Sequence, residues 1–244
     1  MSSSFEDKVF AELRKIDTPT VTNVVATYPN NHLCLGLYNP WTENWYTDTS
    51  IRCLYPELGP TIGYAVTCVY GLPDPNFSGR LNFMDVIDAL GAAQKPTILV
   101  MQQKWPPELH RKAGLAGEIM VSSMMAVGCV GLVSNGPSRD IDAIRRLKFQ
   151  LLLGGVTAGH GELAVQAINV PVSVGGMDVA PGELIHMDEN GAVKFPAQHA
   201  KAVLDNANAM LAEEATRLMR IRSANSAAAV RSANAGVQNT PKKD

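Results

Sequence analysis

No stretch of the 244 residues stays apolar for the length that a membrane-spanning helix needs, so the chain is not expected to cross a bilayer. Cysteine is scarce. Cys34, Cys53, Cys68 and Cys129 form no C-x-x-C pair and stand near no histidine at finger-like spacing, which argues against a zinc module and for a reducing compartment. An excess of charge is missing too. With 21 Lys and Arg against 23 Asp and Glu, a net charge of -2, nothing in bulk electrostatics points to nucleic acid or an anionic membrane as partner. The opening MSSSFEDKVFAELRKID has early acids and no apolar core, so it is read as no signal peptide, and a cytoplasmic location is expected.

What is present is a core-forming chain, 46% hydrophobic. Phe5, Val9 and Leu13 recur at four-residue spacing and predict an amphipathic helix over 5–13. Asp17-Thr-Pro-Thr reads as the start of a second helix reaching Ala26. The segment from Tyr28 to Gly59 differs: it lacks periodicity and holds Tyr38, Trp41, Trp45, Tyr46 and Tyr55. It is read either as a surface connection whose aromatics pack on the body or a neighbouring subunit, or as a pocket wall or lid. Strands are expected at 61–69, 97–101, 129–133, 151–153, 170–174, 183–187 and 192–195, and helices at 83–90, 117–127, 141–147 and 197–221. Turn-rich or polar loops are expected at 72–80, 104–112 and 157–161. This alternation argues α/β, though not a simple repeated βαβ chain.

The densest cluster of candidate chemistry is GLAGEIMVSSMMAVGCVGLVSNGPSRDIDAI, Gly114 to Ile144. Gly114 and Gly117 bracket a turn before a helix, where backbone amides are free to bind an anion. The turn at Asn135-Gly136-Pro137 sets Arg139 at a strand-to-helix junction, a usual place for ligands. Arg139 offers a planar fork that matches a carboxylate. Asp140 offers hard oxygen for magnesium or manganese. On the residues alone it stays open that the pair only caps a helix or forms a salt bridge.

The same stretch resembles the core motif of the RraA-like family, which includes the class II 4-hydroxy-4-methyl-2-oxoglutarate aldolases. The family's Gly-x-x-Arg-Asp element reads Gly136-Pro137-Ser138-Arg139-Asp140. A strand ending in Pro-Val, a Gly pair, and Pro-Gly before an acid read Pro171-Val172, Gly175-Gly176 and Pro181-Gly182-Glu183. An Asp-x-x-Gly turn closed by Pro runs from Asp188 to Pro196. Together these cover Gly114 to Pro196. Leu13 to Val25 resembles the family's opening helix pair more faintly, and Tyr28 to Lys112 aligns only in outline.

The resemblance implies a layered α/β fold like the phosphohistidine swivelling domain, with a C-terminal helix. It implies one domain over residues 1–221 with an aromatic-rich insertion at about 28–59, a flexible tail over 222–244, and a homotrimer or homohexamer with sites between subunits. The implied activity is that of a metal-dependent lyase, an aldolase or decarboxylase, that cleaves or decarboxylates a small keto-acid with Mg2+ or Mn2+. In that scheme Arg139 binds the substrate carboxylate and Asp140 holds the metal. The backbone at Gly117, Glu118, Ile119 and Met120 holds the carboxylate as well, and Glu118 helps order water at the metal. A neighbouring subunit adds an acid, with Glu213 and Glu214 as candidates. The alternatives are a non-catalytic relative that regulates a ribonuclease by binding it, and a related C–C or C–N cleaving enzyme acting on a larger or aromatic acid. Two positions depart from the family pattern: Asn135 and Asn23 stand where an acid is usual. His160 and the pair Asp85 and Asp88 are read as solvated surface, and the side chains of Met120, Met124 and Met125 as core or subunit interface.

Overall fold

The computed structural model describes residues 5–28, 31–74, 76 and 80–235. The expected loop at 72–80 therefore falls partly outside the described residues, as does the tail beyond 235. Four parallel strands form the centre: β2 (Thr61–Gly71), β3 (Thr97–Lys104), β4 (Cys129–Ser138) and β5 (Gln150–Val156). Their apolar runs fit strands covered on both faces. The outer edge of β2 is long enough to be shared. Its first half pairs with β9 (Leu184–Asp188), which forms a hairpin with β10 (Gly191–Phe195); its last residues pair with β6 (Ala164–Ile168).

The aromatic segment turns out to close this sheet. Tyr46 bridges Val193 of β10, and the two-residue β1 (Arg52–Cys53) pairs with Leu152 and Leu153 of β5 at the other edge. The sheet, in the order β1-β5-β4-β3-β2-β9-β10, is thereby nearly closed on itself. Its inner face is filled by Ala65, Ile98, Val100, Val133 and Leu152, with Val174 and Met177 of a hairpin formed by β7 (Val172–Val174) and β8 (Met177–Val179).

Helices cover the outside. α3 (Phe83–Ala92), α4 (Glu118–Ala126) and α5 (Ile141–Leu147) bury Val86, Leu90, Val121, Met124 and Ile144 against one part of the sheet. α1 (Phe5–Leu13), α2 (Thr18–Val25) and the long α6 (Ala200–Ser223) bury Leu13, Val21, Val24, Val203 and Ala207 against Ile62, Leu184 and Val193. Trp45 joins this second cluster and is 1% exposed, whereas Trp41 is 89% exposed. Asp17 caps α2 as its position suggests, and Asp85, at the exposed head of α3, completes a capping box with Asn82. A short helix, α7 (Ala227–Ala233), capped by Ser226, follows α6.

A fully buried histidine pins α1 and α2 to β9. His186 Nδ1 lies 2.9 Å from the Thr18 hydroxyl and Nε2 lies 3.0 Å from the Leu13 carbonyl, while the Thr18 N–H donates to Asp188 Oδ2. Burial holds this imidazole below its usual pKa, outweighing the opposing pull of the Leu13 carbonyl, Asp188 and Asp17.

Candidate functional site

β4 continues past the expected turn at Asn135-Gly136-Pro137 and ends only at Ser138. Side chains make up for the broken ladder. Asn135 Oδ1 accepts from the Gln103 N–H at 2.7 Å and its Nδ2 donates to the Gln103 carbonyl at 3.0 Å, so the amide stands in for a strand residue. An aspartate could make only the first of these bonds. Asn135, noted as a departure from the family pattern, is thus engaged with β3. Gly136 leaves the space that the Gln103 side chain fills.

The loop before α4 is stitched to the end of β4. Leu115 N–H donates to the Pro137 carbonyl, and both the Arg139 N–H and the Ser138 hydroxyl donate to the Ala116 carbonyl. Gly114 N–H donates to the Gly159 carbonyl, and Thr157 N–H donates to the Ser138 carbonyl, which ties in the loop after β5. These bonds bring the start of α4 against Arg139 and Asp140.

Asp140 sits at the N-cap position of α5 but makes no capping bond to its own helix. Its backbone is left-handed, φ 58° and ψ 35°, a conformation that Asp tolerates better than most residues. The carboxylate turns away instead to α4, where Oδ2 accepts from the Glu118 N–H at 3.1 Å. Arg139 Nε lies 3.9 Å from the same oxygen. A Cβ on residue 117 would stand 2.5 Å from Asp140 Oδ2 and 3.4 Å from Arg139 Nε, so only glycine leaves room for this arrangement.

The remaining first-turn amides of α4, those of Ile119 and Met120, find no hydrogen-bond acceptor among the described residues. With the helix dipole behind them and the half-exposed Arg139 fork beside them, they form a cradle for an anion. The structure therefore brings Gly117, Glu118, Ile119, Met120, Arg139 and Asp140 together. It does not bring Glu213 or Glu214 to them within the chain: Glu213 lies 3.8 Å from His32 and Glu214 3.6 Å from Arg217. His160 is exposed.

The donor set has a defined metal preference. Among the described residues no three His, Cys, Asp or Glu side chains converge. Asp140, whose carboxylate meets the Glu118 N–H, fits Mg2+ or Mn2+, which bind through one or two carboxylates and keep water. It does not fit the closed ligand set of structural zinc. Among the described residues Asp140 Oδ1 makes no hydrogen bond, which leaves its lone pairs available.

Tyr55 stands among the aromatics of the 28–59 segment, but its spacing gave no sign of a place beside the site. Its hydroxyl donates to the Ile141 carbonyl at 2.6 Å, next to Asp140, and its ring lies 5.2 Å beneath the Arg145 guanidinium, which is paired with Glu57 at 3.3 Å. The aromatic segment thus braces the first turn of α5. No spacing in the sequence could have paired residues 55 and 141.

Comparison with known proteins gives a consistent picture. The model of the RraA-like family, described as Aldolase/RraA, matches residues 39–194. A Halalkalibacterium halodurans protein, provisionally named a 4-hydroxy-4-methyl-2-oxoglutarate aldolase, is 33% identical over 104 residues, 42% of this chain and 50% of that protein. A Shewanella oneidensis protein with the same provisional name is 35% identical over 83 residues, 33% of this chain and 49% of that protein. The chain thus spans about half the length of these two relatives. Among solved structures, an uncharacterised protein from Pseudomonas syringae pv. tomato superposes with a TM-score of 0.68 at 21% identity, over 96% of this chain and all of its own. Streptomyces coelicolor RraAS2, described as an unusual member of the RNase ES inhibitor RraA protein family, gives 0.67 at 22%, over 90% of this chain and 100% of its own. These two likenesses establish the fold.

Proposed function

The chain belongs to the RraA-like family, and on that premise we propose that it is a divalent-metal-dependent carbon–carbon lyase acting on a small keto-acid. The observation that carries this reading is the meeting of Arg139, Asp140 and the unspent amides of Ile119 and Met120 around a position that must be glycine. The provisional aldolase names of the relatives support it.

In this reading the keto-acid carboxylate lies on the Arg139 fork and the α4 amides. Two-point contact neutralises its charge and fixes the orientation of the adjacent carbonyl. Asp140, with Glu118 nearby, would hold Mg2+ or Mn2+. The bound ion supplies Lewis-acid stabilisation for the enolate charge that develops as the carbon–carbon bond breaks. Glu118, exposed at the head of α4, orders the water that removes the hydroxyl proton in a retro-aldol step. Loss of CO2 from an oxaloacetate-type acid passes through the same enolate and needs no such base. Assembly as a trimer or hexamer, with sites between subunits, would cover Ile119, which is 84% exposed beside the cradle. A cytoplasmic location belongs to the same proposal; among the described residues no helix is long and apolar enough to cross a membrane.

The deciding experiment is pyruvate release from a panel including 4-hydroxy-4-methyl-2-oxoglutarate and oxaloacetate, with Mn2+ and then with EDTA. Metal-dependent release supports the lyase. No release from folded, metal-loaded protein sinks it and favours a non-catalytic relative that binds a ribonuclease.

A further inference from the structure

β4 carries an extra residue just before the site. Its ladder to β3 ends where Met101 meets Ser134. Against β5, Ser134 stands opposite Leu153 and Pro137 opposite Gly155, so three steps along β4 match two along β5. This is a bulge. Side chains alternate along a strand, so a one-residue slip sends every later side chain to the opposite face. The bulge therefore decides which way Ser138 and Arg139 point. With it, the Ser138 hydroxyl and the Arg139 N–H both meet the Ala116 carbonyl, and the Arg139 side chain reaches Gly117 at the head of α4.

Two glycines admit the bulge. Gly154 leaves space for the Asn135 carbonyl on the β5 side, and Gly136 leaves space for the Gln103 amide on the β3 side, where a Cβ would fall on the amide itself. Gln103 is 3% exposed, and its side chain fills the bulge. The orientation of that amide is fixed. An indole N–H can only donate, and that of Trp105 donates to Gln103 Oε1 at 2.7 Å. Nε2 is thereby turned to β4, where it donates to Ser134 Oγ at 3.4 Å and to the Pro137 carbonyl at 3.5 Å. Ser134 and Pro137 are the two ends of the bulge, so one amide meets both. The main chain of the same residue carries the Asn135 side chain through two further bonds. A buried amide with every bond directed at one irregularity of a neighbouring strand is built to hold that irregularity.

We propose that Gln103 is a positioning residue for the site: its amide wedges the bulge and locks the register in which Arg139 reaches the head of α4. Gln103 acts through β4 and not by contact with the substrate. Trp105 serves the same end by setting which way the amide faces. The proposal rests on the lyase reading for its turnover measurement alone, because the geometry it asserts can be read without turnover.

The test pairs two substitutions. Gly136→Ala places a methyl where the amide sits and should lower Tm, whereas Gln103→Ala leaves that space empty. In the double variant the methyl fills the space, so Tm should recover relative to Gly136→Ala. Function should not recover with it. Without the wedge, kcat/KM for pyruvate release is expected to stay about 10- to 100-fold below wild type in both Gln103→Ala and the double variant. Mn2+ affinity should fall as well, because Asp140 follows Arg139 in the chain. A double variant that regains kcat/KM and Mn2+ affinity together with Tm makes the amide mere filling and overturns the proposal. Crystal structures of the double variant and of Gln103→Met, which keeps the length without the amide's bonds, give the reading independent of turnover. Loss of the pairing of Pro137 with Gly155, or an Arg139 turned away from the head of α4, is the expected result. An unchanged register with Arg139 in place refutes the wedge. If the wild type releases no pyruvate, the lyase reading fails and these structures decide alone.

Discussion

Replacing Gly117 by alanine separates the site's geometry from the fold's stability. Gly117 has φ −105° and ψ −178°, an extended backbone that alanine adopts without strain. The new methyl meets Asp140 Oδ2 at 2.5 Å, and that oxygen must retreat beyond 3.0 Å. The Glu118 N–H bond to it, 3.1 Å long, is then lost. A bond to a charged acceptor contributes about 1.5–3 kcal/mol when buried; with the Asp140 side chain 42% exposed, about 1 kcal/mol is the fitting figure. Losing glycine at the N-cap of α4 costs about 1 kcal/mol more. For a chain of this size, Tm should fall by only about 5 °C. Activity should suffer far more, because a catalytic group displaced by about 1 Å can cost on the order of 100-fold in turnover. Pyruvate release coupled to NADH oxidation reads turnover, and Mn2+ titration followed by electron paramagnetic resonance reads the metal. A folded Gly117→Ala protein with wild-type turnover and wild-type Mn2+ affinity would refute the site as drawn.

Arg139→Lys should lower kcat/KM about 10- to 100-fold, because a point charge does not reproduce the two-point contact; a change under twofold removes Arg139 from its role. Asp140→Asn can still accept the Glu118 N–H, so thermal stability should hold while Mn2+ affinity falls at least about tenfold; unaltered affinity argues against ligation by Asp140. His186 predicts a pH dependence. Its folded-state pKa lies below the unfolded value of about 6.5, so the unfolded chain binds the proton first as pH falls. Its contribution is fully present above that value and is lost as pH drops below it, by up to about 1.4 kcal/mol per pH unit, until the folded-state pKa is reached. Urea unfolding at pH 7.5 and 5.5 checks this, and the slope should flatten in His186→Gln; the same slope in both proteins would assign it to other groups.

The helices and the central strands were legible because each carries its own periodicity: α1 at Phe5, Val9 and Leu13, and β2 and β3 as continuous apolar runs. Three features were not. β6 and β8 are short and only partly apolar, and their strand character comes from the partner they meet. The extension of β4 through Asn135-Gly136-Pro137 contradicts local turn chemistry, and it holds because the Asn135 side chain supplies the bonds that the backbone gives up. The closing role of the aromatic segment was hidden as well, since Tyr46 and Arg52 pair with residues far along the chain. At the site, the sequence pointed to Arg139, Asp140 and the head of α4, partly through family resemblance. The left-handed turn that aims Asp140 at Glu118 rather than at its own helix is a property of the folded chain.

The late partners of the aromatic segment set an order of assembly. Residues 45–53 leave the ribosome early, yet Trp45, Thr47 and Tyr46 bond to β10, and Arg52 to β5. Until β10 has been made, one side of the growing sheet has no closing partner and its ladder of amides and carbonyls stands open to any passing strand. The nascent chain is then most exposed to aggregation, and a message truncated between β5 and β10 would yield a product that the quality-control machinery must remove.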